Sequence, residues 1–505
     1  MGADIGGDGR LMSLRFTNTL TGALEEFRPL EGGRVRMYTC GPTVYDRAHI
    51  GNFRTFVWED LLRRYLEWKG YEVTQVMNLT DVDDRTIGAA VEGGVGLSEV
   101  TRPVIEAFFE DWETLGLEPV EHNPRATEHI PQMIELVRTL EGKGHTYESE
   151  GSVYFAIASF PGYGRLIQLD PSRLRGSGRV SGDEEYSKED PRDFVLWKGA
   201  ARGPEAEVAV WDSPWGPGRP GWHLECSAMA MEYLGPRLDI HTGGVDNIFP
   251  HHVNEMAQSE ASTGEPFARY WLHAAHLLVD GEKMSKSLGN FYTIPDLLAL
   301  GCRPSAIRYL LLSGHYRSHL NFTLEGVRQA DRALDRLIEF GARVRKIGET
   351  AGSYPSSGEI EAVVERARGE FVSAMDEDLN VSEALAAIFR CIRDVNGLLD
   401  RSGDRASREE AAAVLSLLTD FDAIFGVVAL RKRELSEVPP TLRAWVEERI
   451  AQRNAARAAR DFARADAIRD EVAERGFALE DTPEGTRWKW AGAPSGAVPG
   501  SAAPR

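Results

Sequence analysis

Residues 34–80 constrain the fold more tightly than any other stretch. RVRMYTC (34–40) reads as a short buried strand, and the loop GPTVYDRAHIG follows it. In NFRTFVWEDLLRRYLEWKG (52–70), Phe53, Val57, Leu61 and Tyr65 recur every four residues, which gives a helix one apolar face. Gly70 ends that helix, and YEVTQVMNLT (71–80) reads as a second strand. Strand, helix and strand in so short a span form a βαβ unit, the seed of a doubly wound, Rossmann-like parallel sheet.

A chain of 505 residues exceeds what one hydrophobic core supports, so several domains are expected. The first half of this α/β domain spans 13–127. Residues 128–216, rich in Gly, Pro and charge, read as an irregular connecting insertion. LDIHTGG (238–244) and AAHLLVDG (274–281) resume the strand-like pattern, which puts the second half at 217–267 and a linker fold at 268–321. Leu324, Val327, Leu334, Leu337 and Phe340 then follow helical spacing, as do Leu385, Ile388, Phe389, Ile392, Val395 and Leu398, so 322–430 is a helical bundle. Pro439 and Pro440 mark a linker to a small C-terminal α/β domain at 438–490. The Ala-, Gly-, Pro- and Ser-rich tail 491–505 and residues 1–11 are expected to be disordered.

Only 4 cysteines, widely spaced, exclude a disulfide framework and suit a reducing compartment. With no signal-peptide pattern and no long uncharged apolar run, a cytoplasmic protein without a membrane span is expected. A net charge of -20 excludes non-specific coating of nucleic acid.

Two short stretches suit phosphate. HIGN (49–52) stands at a helix start after the first strand, where backbone N–H groups and the positive helix end attract anions, and Gly51 permits close approach. KMSKSLGN (283–290) offers Lys283 and Lys286, flexible cations able to follow charge developing on a triphosphate. Each alone is as well explained by a turn or a solvated loop; together, in this order around a βαβ unit, they point to a nucleotide. A third stretch, FPHHVNE (249–255), suits metal. His251 and Glu255 share a helix face, whereas His252 is turned about 100° away. Cys40 and Cys226 would complete a Cys₂HisGlu set for zinc, although cysteines so scattered are also explained as buried and unligated.

HIGN, a variant of the HIGH signature, together with KMSKS resembles the class I aminoacyl-tRNA synthetases. The ordered strings CGPTVYD, HIGN, LTDVDD, GWHLECSAM, HTGGVDNIFPHHVNE and KMSKSLGN are similar to the cysteinyl-tRNA synthetase family from about residue 13 to 490. The departure is Asn52, which still donates a hydrogen bond. The resemblance implies ATP-dependent activation of L-cysteine and its transfer to tRNA(Cys). It assigns catalysis to His49, Asn52, Lys283 and Lys286, and ATP binding to these and Gly51, with Mg²⁺ accompanying ATP. One Zn²⁺ per chain would be held by Cys40, Cys226, His251 and Glu255, and not by His252. Zinc suits the task because cysteine and serine differ by one atom that a soft metal tells apart better than a pocket wall does. Four protein ligands describe a closed site, so substrate binding implies expansion to a fifth position.

The same resemblance places Thr80, Trp222, His241 and Asp246 around the bound cysteine, an aspartate suiting its ammonium and an aromatic wall its apolar stem. Asp81, Asp83 and Asp84 are read as ordering the turn after the strand. Arg449, Arg453, Arg457, Arg460 and Arg464 form a stripe on a helix from about 442, where guanidinium groups can stack on unpaired bases. The family's anticodon contacts match Arg457, Asp466 and Asp481, and Trp488 is either a stacking surface or a packed ring. A monomer is expected. The alternatives are a ligase that passes cysteine to an amino sugar for mycothiol and a non-catalytic RNA-binding relative. The long bundle and the C-terminal arginines favour tRNA over the first, and intact Lys283, Lys286 and metal candidates favour catalysis over the second.

Overall fold

The computed structural model describes residues 13–167, 192–200, 203, 205–285, 288–350, 356–436, 440–475, 477–482 and 485–490. A hairpin of β1 (Arg15–Asn18) and β2 (Ala23–Glu26) leads into β3 (Arg34–Thr39), α1 (Ile50–Trp68) and β4 (Glu72–Met77), with β3 and β4 parallel. Phe53, Val57, Leu61 and Tyr65 of α1 are all buried, as their spacing requires. The chain then passes through α2 (Asp84–Gly93), α3 (Leu97–Thr114) and α4 (Ile130–Gly142).

The insertion is more regular than its sequence suggests. It builds a four-stranded antiparallel sheet from β5 (Thr146–Ser149), β6 (Ser152–Phe155), β7 (Phe194–Gly199) and β8 (Gly218–Pro220), with the short α5 (Glu205–Val208) before β8. Its strands are short and buried on both faces at β6, so neither alternation nor length announces them. Most of the charge-rich loop that suggested irregularity lies outside the described residues.

After α6 (Trp222–Leu234), β9 (Leu238–Gly244) pairs parallel to β3 on the side away from β4, and α7 (Val253–Thr263) and β10 (Ala268–Ala274) extend that side. The resulting order is β10-β9-β3-β4, all parallel. Helices cover both faces: Val35, Met37, Val73, Met77 and Ile240 join the core on the α1 side, and Tyr38, Val76, Leu238 and Trp271 the core on the α6 and α7 side. The strand order reverses between β3 and β9, the place where open α/β sheets bind ligands.

A three-stranded sheet, order β12-β11-β13, follows from β11 (Leu277–Val279), β12 (Glu282–Lys283) and β13 (Leu320–Phe322), with α8 (Ile294–Ala299) and α9 (Pro304–Leu312) between the last two. Asp280 (φ 51) and Gly281 (φ 84) make the two-residue turn that joins β11 to β12, as a Asp-Gly pair does in tight hairpins. The bundle comprises α10 (Leu324–Thr350), α11 (Glu359–Asp376), α12 (Val381–Ser402), α13 (Arg408–Phe425) and α14 (Val427–Ser436). Beyond it, α15 (Pro440–Ala458) and α16 (Phe462–Glu474) pack on the hairpin β14 (Phe477–Thr482) and β15 (Gly485–Trp490). No single helix among the described residues is long and apolar enough to cross a membrane.

Candidate active site and metal centre

The switch point of the sheet gathers the metal candidates. Cys40 directly follows β3, Cys226 lies in α6, His251 in the kinked turn Ile248–His252 after β9, and Glu255 in the first turn of α7. One donor atom from each lies within 4.8 Å of the other three. His251 Nε2 stands 3.0 Å from Glu255 Oε1, while His241, on β9, places Nε2 2.9 Å from Glu255 Oε2.

His252 does not turn away, as α-helical arithmetic requires. Its N–H donates to the Asn247 carbonyl (2.8 Å), five residues back, across a kink at which Phe249 is extended (φ -136, ψ 132), so the chain enters α7 at a bend rather than along one helix. Its Nε2 lies 3.2 Å from Cys40 Sγ and its Nδ1 2.7 Å from His273 Nε2, and Cys40, His241, His252 and Glu255 form a second converging set. Gly243 of HTGG permits this: a Cβ there would come within 2.9 Å of the His252 ring. His252, set aside on helical spacing, thus lines the cluster, together with His273 and with His223, whose Nδ1 is 2.8 Å from His251 Nδ1 and which no motif singles out. The doubled histidine and the histidine three residues before Cys226 were the available signals.

Burial dominates the electrostatics. It pushes the Cys40 thiol well above its ordinary value, while a hydrogen bond from Cys40 brings Cys226 down to about 6. Burial raises and His241 and His251 lower Glu255, with a net fall to about 2; His251, opposed by burial, rises to about 10 through Glu255 and Cys226. Desolvation holds His223 and His273 down at about 3 and His252 well below its ordinary value. Two thiolates and a carboxylate this close and this buried repel one another, and the single imidazolium of His251 offsets only part of that charge; a soft dication relieves the rest. The donor set therefore fits zinc.

Around this cluster, the Trp222 ring lies 4.3 Å from that of His251 and remains 45 % exposed. Thr80 is buried, its hydroxyl accepting from Asn78 Nδ2 (3.1 Å). Asp246 is exposed in the turn after β9. Asp81 accepts from the Thr127 N–H (2.9 Å) and hydroxyl (2.6 Å), Asp83 caps α2, and Asp84 pairs with Arg219. Those three carboxylates order their surroundings.

The nucleotide end forms from the start of α1. His49 is the N-cap: its Nδ1 accepts from the Asn52 N–H (3.2 Å), and Asn52 Oδ1 accepts from the His49 N–H (3.0 Å). Asn52 thus completes a reciprocal cap. An occupied Nδ1 acceptor leaves the ring proton on Nε2, where it can be donated. A Cβ at Gly51 would meet the Met284 methyl at 3.0 Å, so the KMSKS stretch lies against HIGN, and Phe291 packs edge-on against His49. Lys283 ends β12 exposed; Asn290 closes the loop by accepting from the Ser285 N–H (2.8 Å). Lys286 lies outside the described residues.

Residues 26–332 match the family model of the class I tRNA synthetase (C) catalytic domain, and residues 370–429 match the DALR domain. A cysteine–tRNA ligase of Solibacter usitatus is 50% identical over 480 residues, 95% of this chain and 100% of that one. One of Protochlamydia amoebophila is 48% identical over 479 residues, 94% and 98% of the two chains. The chain belongs to the cysteine–tRNA ligase family. The same fold occurs in Mycobacterium tuberculosis methionyl-tRNA synthetase in complex with methionyl-adenylate, at 17% identity and a TM-score of 0.56 over 81% of this chain and 93% of that one.

In this member of the family the expected arginine stripe is broken. α15 stops at Ala458; Arg460 (φ 60) lies in the turn, and Arg464 belongs to α16. Arg453 faces inward and grips Asp481 through two hydrogen bonds (2.7 and 2.8 Å). Arg457 also pairs with Asp481, which accepts from Thr486 as well (2.8 Å). Asp481, expected to accept from a base, is therefore engaged by its own chain, and these partners hold it well below the usual carboxylate range. Asp466 is exposed, 3.4 Å from Arg469. Arg449 pairs with Glu471 (3.2 Å) and lies over Trp445. Trp488 packs edge-on against Phe477 in the small core.

Proposed function

We propose that the chain activates L-cysteine with Mg²⁺·ATP and transfers it to tRNA(Cys), selecting cysteine through a zinc ion held by Cys40, Cys226, His251 and Glu255. Zinc bound there supplies a soft Lewis acid that prefers the substrate's thiolate to a serine hydroxyl. Everything else falls to the chain. His241 holds Glu255 through its second carboxylate oxygen and thereby orients the donor set. Trp222 walls the cluster's open side, and Asp246, at the sheet's carboxyl end, is suited to the substrate ammonium.

The cysteine carboxylate attacks the α-phosphorus, the bond to the β,γ-pyrophosphate breaks, and pyrophosphate leaves. His49 donates from Nε2 to the phosphate chain beside the α1 N-terminus, and Lys283 with Lys286 meets the charge that develops on the leaving group. Asn52 acts mainly by fixing the His49 ring. A terminal ribose hydroxyl of tRNA then attacks the adenylate carbonyl, and AMP leaves. Arg457, Asp466 and Asp481 would read the anticodon end, Asp481 exchanging an arginine for a base. The protein is taken to work as a cytoplasmic monomer.

The observation that carries this reading is the convergence of four donors from three separate segments at the sheet's switch point. Cysteine-dependent ATP–pyrophosphate exchange, measured against serine with the metal present and chelated, tests it. Exchange with cysteine only, lost on chelation and restored by zinc, is expected; discrimination that survives metal removal overturns the zinc reading.

A further inference from the structure

The corner between α11 and α12 carries three consecutive carboxylates, each bound to a different part of the molecule. Asp376 is buried and accepts from the Tyr65 hydroxyl (2.7 Å) and the Lys69 ammonium (3.0 Å), at the C-terminal end of α1. Glu377 pairs with Arg15 on β1. Asp378 accepts from the N–H (2.9 Å) and hydroxyl (2.7 Å) of Thr17, the Tyr316 hydroxyl (2.6 Å) and Arg317 Nε (2.7 Å). Four donors saturate one buried carboxylate. The backbone is strained to deliver it: Asp378 (φ 58) and Leu379 (φ 52) are both left-handed, a conformation that leucine adopts only under constraint.

These partners lead back to the nucleotide end. Helix α1 is 19 residues long and runs about 28 Å from the His49 cap to the Asp376 contacts. Midway, Arg54 donates to the Gly314 and His315 carbonyls (both 3.1 Å), and Trp58 stacks on Tyr316 with centroids 4.5 Å apart. The Tyr316 carbonyl accepts from the Ala275 N–H (2.7 Å), just before β11, the strand whose hairpin ends in Lys283. Through Tyr316, one carboxylate of the bundle touches both the helix that carries His49 and the hairpin that carries Lys283.

We propose that Asp378 is a positioning residue for amino-acid activation: by fixing the Tyr316 loop it sets the Lys283 hairpin against the His49 end of α1. The placement of the helical bundle thereby governs the geometry of the nucleotide site. This rests on the assignment of His49 and Lys283 to ATP, and the test separates the two.

Two variants probe it in cysteine-dependent ATP–pyrophosphate exchange. Asp378→Asn keeps the shape and removes the charge; Tyr316→Phe keeps the ring stacked on Trp58 and removes one hydroxyl. Each is expected to lower kcat about tenfold with the KM for cysteine unchanged, and Asp378→Asn, which leaves buried donors without their charged acceptor, also to lower the melting temperature. In a Lys283→Ala background the same changes should cost less than about twofold, because the group they position is gone. A full further tenfold loss in that background, or a lowered melting temperature with unchanged kcat, makes the corner a structural brace and overturns the proposal. If Asp378→Asn does not fold, Tyr316→Phe decides alone. Should Lys283→Ala leave exchange intact, the ATP assignment fails and the proposal falls with it; an inactive Lys283→Ala beside unaffected corner variants overturns the proposal alone.

Discussion

The cluster at the end of the parallel sheet and the arginine row of the C-terminal unit are both made of acids set against bases, and they settle into different states. At the sheet, Cys40, Cys226, His251 and Glu255 are buried; His251 and Glu255 favour each other's charge, but Cys226 and Glu255 both raise the Cys40 thiol, so the negative charges exceed the one cation that meets them. In the C-terminal unit, Asp481 is met by Arg453 and Arg457 and the charges cancel within the chain. A buried set left with surplus negative charge once both thiols ionise is built for a cation. A set that neutralises itself must give up a partner to bind one, which lowers affinity and makes it selective.

That contrast is open to attack in order of effect. Cys226→Ser removes a donor the cluster cannot replace: bound zinc should fall from one per chain to none, and cysteine-dependent exchange should fall by more than about a hundredfold. Elemental analysis beside kinetics decides it, and retained zinc would mean that His252 and His241 form the working site. His241→Asn leaves all four donors but releases Glu255 Oε2, so zinc affinity should drop roughly 10–100-fold in chelator competition. Arg457→Ala should raise the KM for tRNA by about five- to tenfold and leave pyrophosphate exchange untouched; an equal loss in both assays would make the C-terminal unit a brace.

The finest test counts protons. At pH 8, Cys226, at about 6, is already a thiolate, while Cys40, raised, keeps its proton, and His251, at about 10, keeps its charge. Loading zinc should therefore release about two protons, one from each of these, rising toward three below pH 6. In the metal-free protein the signs run opposite ways. Glu255, depressed to about 2, contributes stability above its ordinary value that is lost as the pH falls toward 2. His251, raised to about 10, contributes below its ordinary value and loses it as the pH rises toward 10. A metal-free protein as stable at both extremes as it is near neutral pH would contradict the ion pair.

Much of this was legible beforehand where periodicity or chain order carries the information. The stripe Phe53, Val57, Leu61, Tyr65 announced α1, and the four metal donors were named from residue chemistry and family likeness. The antiparallel sheet of the insertion was not legible, since three- to six-residue strands buried by a neighbouring core show no reliable period. Nor was the inward turn of Arg453, because an arginine spaced for a helix face gives no hint that a later hairpin will bring Asp481 against it.

Local order thus determined the strand, helix and strand of residues 34–80 and the long helices of the bundle, that HIGN begins a helix, and which side chains have metal chemistry, because hydrophobic spacing and donor type are properties of neighbours along the chain. Only the tertiary structure decided that His252 joins the cluster beside Cys40 and His273, that Asp481 is already paired, and that Asp378 bolts the bundle to the nucleotide end. Each of those depends on segments tens to hundreds of residues apart being driven together by burial, and no spacing within one segment encodes that distance.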